Sequence, residues 1–114
     1  MTMEAGNRVR IKSAATTNPV SVKATPGKIL GIMVGNTGAA IAFLKLYDKA
    51  SAPTVGTDIP VQTIPIPALT TLNLPMPASV QFTLGIAYAI TNVGTDADTT
   101  AVVADQVTGA MFYV

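Results

Sequence analysis

Asp96-Ala97-Asp98, flanked by Thr95 and Thr99 and followed by Asp105, is the densest set of hard oxygen donors in the chain. Such oxygens suit Ca²⁺, but neither the spacing of an EF-hand loop nor its bidentate glutamate is present, so the segment reads as a solvated loop. The tripeptide Gly-Thr-Asp occurs at 56–58 and again at 94–96. Two loop aspartates could suggest a carboxylate pair, yet the aspartic-protease order is Asp-Thr-Gly, and both copies read as turns. Ser21 and Lys23 stand two apart and would share a strand face, as a Ser–Lys nucleophile pair would. Nothing around them points to the desolvation that would activate the lysine.

The remaining inventory is thin. The chain has no histidine, no cysteine, no tryptophan and a single glutamate, Glu4. That removes histidine-dependent triads, thiolate nucleophiles and nearly all zinc or iron sites. The residues therefore point away from an enzyme and toward a binding or structural role, with no cofactor and no metal expected.

One basic cluster remains, Arg8-Val9-Arg10-Ile11-Lys12. Single-strand nucleic-acid binders interleave cations with stacking aromatics. Here the aromatics Phe43, Tyr47, Phe82, Tyr88, Phe112 and Tyr113 lie elsewhere in the sequence, and no Gly-rich phosphate loop occurs. The expected partner is an acidic protein surface, with no nucleic acid and no small-molecule substrate. All seven Lys and Arg residues fall within the first 49 positions, and Asp58, Asp96, Asp98 and Asp105 follow with no cation after them. That lopsided charge could orient neighbouring subunits, or could arise by chance among so few charges.

The elements that would position these residues are strands. At 114 residues, 49% hydrophobic and only 11% charged, the chain suits one domain with a real core. The segment 1–18 is polar, has no apolar stretch of the kind a Sec signal needs, and ends at Asn18-Pro19. It is expected to be an arm, mobile in isolation, whose alternating residues 8–12 order on contact: Arg8, Arg10 and Lys12 as electrostatic contacts, Val9 and Ile11 as apolar pegs. Deleting residues 2–16 should then spare the fold and weaken binding. From Val20 onward, alternating or apolar runs at 20–24, 28–36, 39–49, 59–67, 69–75, 79–93 and 106–114 are separated by turn residues. Gly35-Asn36-Thr37-Gly38 reads as a hairpin turn between two of them. No stretch of twelve residues has helical periodicity, and the uncharged window 29–44 is too short for a membrane helix. The fold expected is all-β: a single antiparallel sandwich over 19–114, jelly-roll-like or Ig-like, with about seven or eight short strands.

Two details refine this. Along 42–47, Ala42, Leu44 and Leu46 share one face and should be core. Phe43, Lys45 and Tyr47 share the other and are expected to face outward or toward a second subunit. The apolar stretch IPIPALTTLNLPMP (64–77) carries Pro65, Pro67, Pro75 and Pro77, paired in parity. Proline lacks an N–H, so it is confined to edges, strand starts and bulges. Two edge strands are expected, burying Ile64, Ile66, Leu74 and Met76 while their missing donors face away from the sheet and refuse further pairing.

Residues 13–68, together with LKLYDKASAPTVGTD (44–58), TIPIPA (63–68), GIAYAIT (85–91) and DADTTAV (96–102), resemble a family of small tailed-bacteriophage virion proteins. The resemblance covers most of the chain after the arm and brings no catalytic residues. It implies a capsid decoration, or cement, protein on the virion exterior, synthesised in the bacterial cytoplasm. Such a protein would be a homo-oligomer, most often a trimer, bound to the major capsid protein at capsomer junctions, with no membrane association. The alternative is a tail, neck or head-fibre component that touches a host glycan or another tail protein through loops 50–58 and 94–105.

Overall fold

The computed structural model describes residues 6–114, and for 77–79 the backbone path only. Among the described residues there are eight strands and no helix: β1 (Asn7–Lys12), β2 (Val20–Lys23), β3 (Gly27–Asn36), β4 (Ala42–Asp48), β5 (Gln62–Ile66), β6 (Thr70–Phe82), β7 (Ile86–Thr91) and β8 (Val107–Tyr113). They form two four-stranded sheets in the orders β1-β8-β3-β6 and β2-β7-β4-β5, with every pair antiparallel. The first strand pairs with the last, the second with the seventh, the third with the sixth and the fourth with the fifth. A long antiparallel ribbon rolled over itself gives this pairing, which is the jelly roll. The Ig-like alternative is set aside by the same strand order.

Alternation drives the layering. Ile29, Ile32, Val34 and Met111 from one sheet meet Leu44, Leu46, Ile64, Ile66, Ile86, Tyr88 and Ile90 from the other in a single core cluster. Leu72, Leu74 and Met76 of β6 pack against it, half-buried.

Several expectations are corrected. The arm is, from Asn7 onward, part of the body: β1 pairs with β8 in unbroken register from Asn7↔Tyr113 to Lys12↔Thr108. Its alternation found an edge within its own chain. Ile11 is 0% exposed and Val9 packs on the core, so neither is a peg for a partner. Residues 13–18 are tied down too. The Ser13 N–H donates to the Val107 carbonyl at 2.9 Å, and the Asn18 amide caps the turn by accepting from the Ala14 N–H at 2.8 Å. The boundary at 18/19 therefore separates nothing, and deleting 2–16 would remove β1 and strip β8 of a neighbour. Residues 1–5 of the expected arm lie outside the described residues.

Gly35-Asn36-Thr37-Gly38 does not close a hairpin, because β3 and β4 belong to different sheets. It is a crossover fixed by the buried Asn36. That amide donates to the Ala40 and Ile66 carbonyls at 2.8 and 3.0 Å and accepts from the Gly38 N–H at 2.9 Å. The run expected over 79–93 breaks at Thr83–Gly85, and its first part extends β6. There the Asp48 carboxylate accepts from the N–H groups of Thr83, Leu84 and Gly85 and from the Thr83 hydroxyl.

The proline reading is upheld for Pro65 and Pro75, while Pro67 lies beyond the end of β5 and Leu74 and Met76 are only half-buried. β5 and β6 are both sheet edges. Backbone groups in an antiparallel strand point alternately to either side. Lys28 and Val114 exchange both backbone bonds, each at 3.0 Å, and the Thr37 N–H donates to the Gln106 carbonyl at 2.8 Å. These contacts turn the odd residues of β3 beyond its bulge toward β8, and its even ones toward β6. Through Ile32↔Leu74, the N–H groups of Leu72 and Leu74 face β3 and the position of Pro75 faces the free edge. In the other sheet the Lys49 N–H donates to the Gly85 carbonyl at 3.2 Å, so the odd residues of β4 face β7. Pro65, opposite Phe43, then also lies on the free side.

Candidate interaction face

The two outer faces of the sandwich are finished differently. On the β2-β7-β4-β5 sheet, Phe43, Lys45 and Tyr47 do share the face opposite the core, but their own chain covers it. Lys45 is 0% exposed and Tyr47 1%. Val55, from the loop after β4, packs on Tyr47, Ala87 and Ala89. The loop after β7 lies across Phe43 and Lys45: the Lys45 Nζ donates to the Thr95 carbonyl at 2.7 Å, and a Cβ on Gly94 would sit 2.8 Å from the Phe43 ring. The two loops also touch, since a Cβ on Gly56 would sit 2.6 Å from the Thr99 methyl. Small Ala87, Ala89 and Thr91 let them lie close, so β7 is buried at every position. Lys45 and Tyr47 are thus not available as a subunit contact, whereas Phe43 is only partly covered.

Electrostatics follow from that cover. Burial lowers the Lys45 ammonium from its ordinary value, against the pull of Asp98 and Asp96. Burial raises the Tyr47 phenol, helped by Asp58 and Asp96, and its buried hydroxyl has no hydrogen-bond partner among the described residues. Asp98 is a loop staple. Its carboxylate accepts from the N–H groups of Val93 and Thr100 and from the Thr100 hydroxyl at 2.5 Å. Burial pushes its carboxyl up, but these bonds and Lys45 outweigh it and hold the group below the ordinary range. Asp105 stands apart from it, 3.5 Å from Lys12. Among the described residues, no three or more His, Cys, Asp or Glu side chains gather where a metal ion could sit.

Among the described residues, the β1-β8-β3-β6 face carries no such layer. The ladder sets its residues in rows: Arg8 beside Phe112, Gly31 and Pro75; Arg10 beside Ala110, Met33 and Asn73; Lys12 beside Thr108, Gly35 and Thr71. Arg8, Arg10 and Lys12 are all exposed, along one edge. Met33 is 46% exposed and Phe112 37%. A groove of about 670 Å³ lies where Gly6, Asn7 and Arg8 meet Leu30 and Phe112. The sequence reading of the cations holds for their exposure. It missed that the register places an aromatic, Phe112, opposite Arg8. Only the pairing of β1 with β8 could have revealed this, since the two lie at opposite ends of the chain.

The other large groove, about 600 Å³, sits at the end of the sandwich between the 37–41 turn and residues 103–106, and has no titratable side chain in its lining. The site class is thus a jelly roll with one layered, acid-bearing face and one bare face edged by cations. No protein-family model, curated protein or solved structure matches the chain.

Proposed function

We propose that this chain is a non-enzymatic structural protein of a tailed-bacteriophage virion, a capsid decoration protein that binds the assembled shell from outside and stabilises capsomer junctions. The observation that carries the reading is the treatment of the sheet edges. β5 and β6 bear prolines at their free sides, and β2 is only four residues long with a bulge between Ser21 and Lys23. Closing three of the four sheet edges in this way suits a protein held at very high local concentration, where open edges would pair at random. The resemblance of residues 13–68 to small phage virion proteins supports the same reading.

The major capsid protein is the proposed partner, met through the bare cationic face. A protein partner suits that face better than nucleic acid: one exposed aromatic stands beside the cations, where a single-strand binder uses several as stacking platforms. A homotrimer, the state the resemblance implies, is proposed for the bound form. Binding only the assembled shell shifts the equilibrium toward assembly by mass action. Quantitative mass spectrometry of purified virions tests this. A copy number in the hundreds against the major capsid protein is the expected result. A count of about a dozen or fewer would overturn it in favour of a neck, tail or fibre role.

A further inference from the structure

We propose that the free edge of β1 is a strand-addition site, accepting an extended partner segment that carries acidic residues at alternating positions. Of the four sheet edges, β1 alone among the described residues is regular. It has six residues, no proline and no register shift against β8. Ser13 donates to Val107, so the alternate residues Val9 and Ile11 turn their backbone groups toward β8. The N–H and carbonyl groups of Arg8, Arg10 and Lys12 therefore face outward, unpaired by the sheet. The same three residues place their side chains on the bare face, so backbone donors and positive charge coincide at every second residue.

Charge complementarity defines the occupant. On an added strand, the Cβ atoms directly opposite those of Arg8, Arg10 and Lys12 would lie about 5 Å away, a spacing at which carboxylates are favoured and like charges are not. Lys12 already has Asp105 at 3.5 Å, whereas Arg8 and Arg10 have no ion-pair partner among the described residues. Edge cations often serve to prevent pairing. They do so against neutral or basic strands, including β1 of a second copy, which would set cation against cation. They do not repel an acidic strand. Nor can a second copy supply one: the chain's one alternating acidic stretch, Asp96-Ala97-Asp98, is held in its loop by the bonds to Asp98. The occupant is then a different protein, joined by main-chain bonds for affinity and by the cations for choice of strand. The proposal rests on the shell reading only in assigning that segment to the major capsid protein.

The test uses the full chain, ¹⁵N-labelled, and a blocked heptapeptide alternating glutamate and valine, with a lysine–valine peptide as control. In the free protein the Val9 and Ile11 amides should be protected from hydrogen exchange and those of Arg8, Arg10 and Lys12 open. The acidic peptide should protect all three saturably, the lysine peptide none, and raising salt from roughly 50 to 200 mM should weaken binding at least about threefold. Two variants separate backbone from charge. Arg10→Gln keeps the outward donor and loses the charge; Arg10→Pro loses both, at a site whose N–H the sheet does not use. Affinity should fall about tenfold further for proline than for glutamine. Equal losses, or three amides that stay open at saturating peptide, would overturn the proposal, and the exchange result stands even if Arg10→Pro fails to fold. Virion copy number tests the shell reading separately. A high count without peptide binding sinks this site alone, and peptide binding with a low count sinks only the partner's assignment.

Discussion

One outer face of this sandwich is roofed by two loops that bury a lysine and a tyrosine; the other lies open with cations along one edge. Both come from strands with the same alternation, so the difference is not in the strands. It lies in what connects them. The β2-β7-β4-β5 sheet receives the loops at 49–61 and 92–106, and the β1-β8-β3-β6 sheet receives none of that length. Side chains under the loops became structural, and those on the bare face kept their freedom to meet a partner.

The sharpest way to break this comparison is to truncate a cation on each face. Lys45→Ala should cost about 3 kcal/mol, because it empties a fully buried site and leaves the Thr95 carbonyl without its donor. Arg10→Ala should cost no more than about 0.5 kcal/mol, being exposed and without an ion-pair partner among the described residues. Lys45→Met should restore most of the loss, since burial already disfavours the charge and a similar apolar chain fills the space. Urea melts of the three variants decide the matter. Comparable losses for Lys45→Ala and Arg10→Ala would mean that the roof does not hold its lysine.

Asp48 carries the next effect. It ties the β6–β7 turn to the end of β4 through four hydrogen bonds, and Asp48→Ala should cost about 2 kcal/mol. Burial opposes its ionisation, but the bonds from Leu84, Thr83 and Gly85 prevail and hold its carboxyl below the ordinary range. Asp58, bonded by Lys49 and the Thr54 N–H, is held low as well, as is Asp98. A carboxyl held low in the folded state contributes stability in full above its unfolded pKa of about 4, and that contribution is lost as pH falls through the folded value. Stability should therefore be flat from pH 7 to about 5 and decline below 4. An Asp48→Asn, Asp98→Asn double variant should flatten that acid limb, and an unchanged limb would refute the assignment.

Much of the fold was legible in the sequence for a reason that also marks the limit. The parity of Pro65 and Pro75 states which side of a strand lacks a donor, a local covalent property that survives any tertiary arrangement. The alternation in Ala42–Asp48 likewise named its core face correctly. What covers the opposite face depends on where residues 55 and 95 return in space, and nothing local to Lys45 records that. The same holds for β1. The spacing of Arg8, Arg10 and Lys12 announced a strand seeking an edge, but the edge is β8, at the far end of the chain. Asn36 misled for a related reason: Gly-Asn-Thr-Gly specifies a reversal, and only the buried contacts to Ala40 and Ile66 turn that reversal into a crossover.

Tyr47 sharpens the comparison from inside the roof. Its ring fills the space beneath Val55, yet its hydroxyl is buried without a partner among the described residues. An unsatisfied buried hydroxyl costs about 1–3 kcal/mol, so Tyr47→Phe should stabilise the protein by about 1 kcal/mol, seen as a higher urea midpoint at unchanged slope. The phenol is also raised by burial, so above about pH 10 the unfolded chain ionises first and stability falls. Part of that alkaline loss should vanish in the phenylalanine variant. A variant less stable than the parent would show that the hydroxyl does find a partner under the loops.

The smallest effect belongs to the open face. Met33 sits at its centre, beside Ala110 and Asn73, and is nearly half exposed. Threonine suits an exposed strand position as well as methionine does, so Met33→Thr should change stability by no more than about 0.5 kcal/mol. If this face meets a partner, the same change should still weaken shell association severalfold, because a methionine that packs poorly at home can pack well across an interface. Stability and binding are measured on one sample, by urea melt and by co-sedimentation with shells. A variant that is neutral in both would place the contact on the β1 edge rather than the face. One that loses stability by more than 1 kcal/mol would mean that the bare sheet is, like its partner, covered from within.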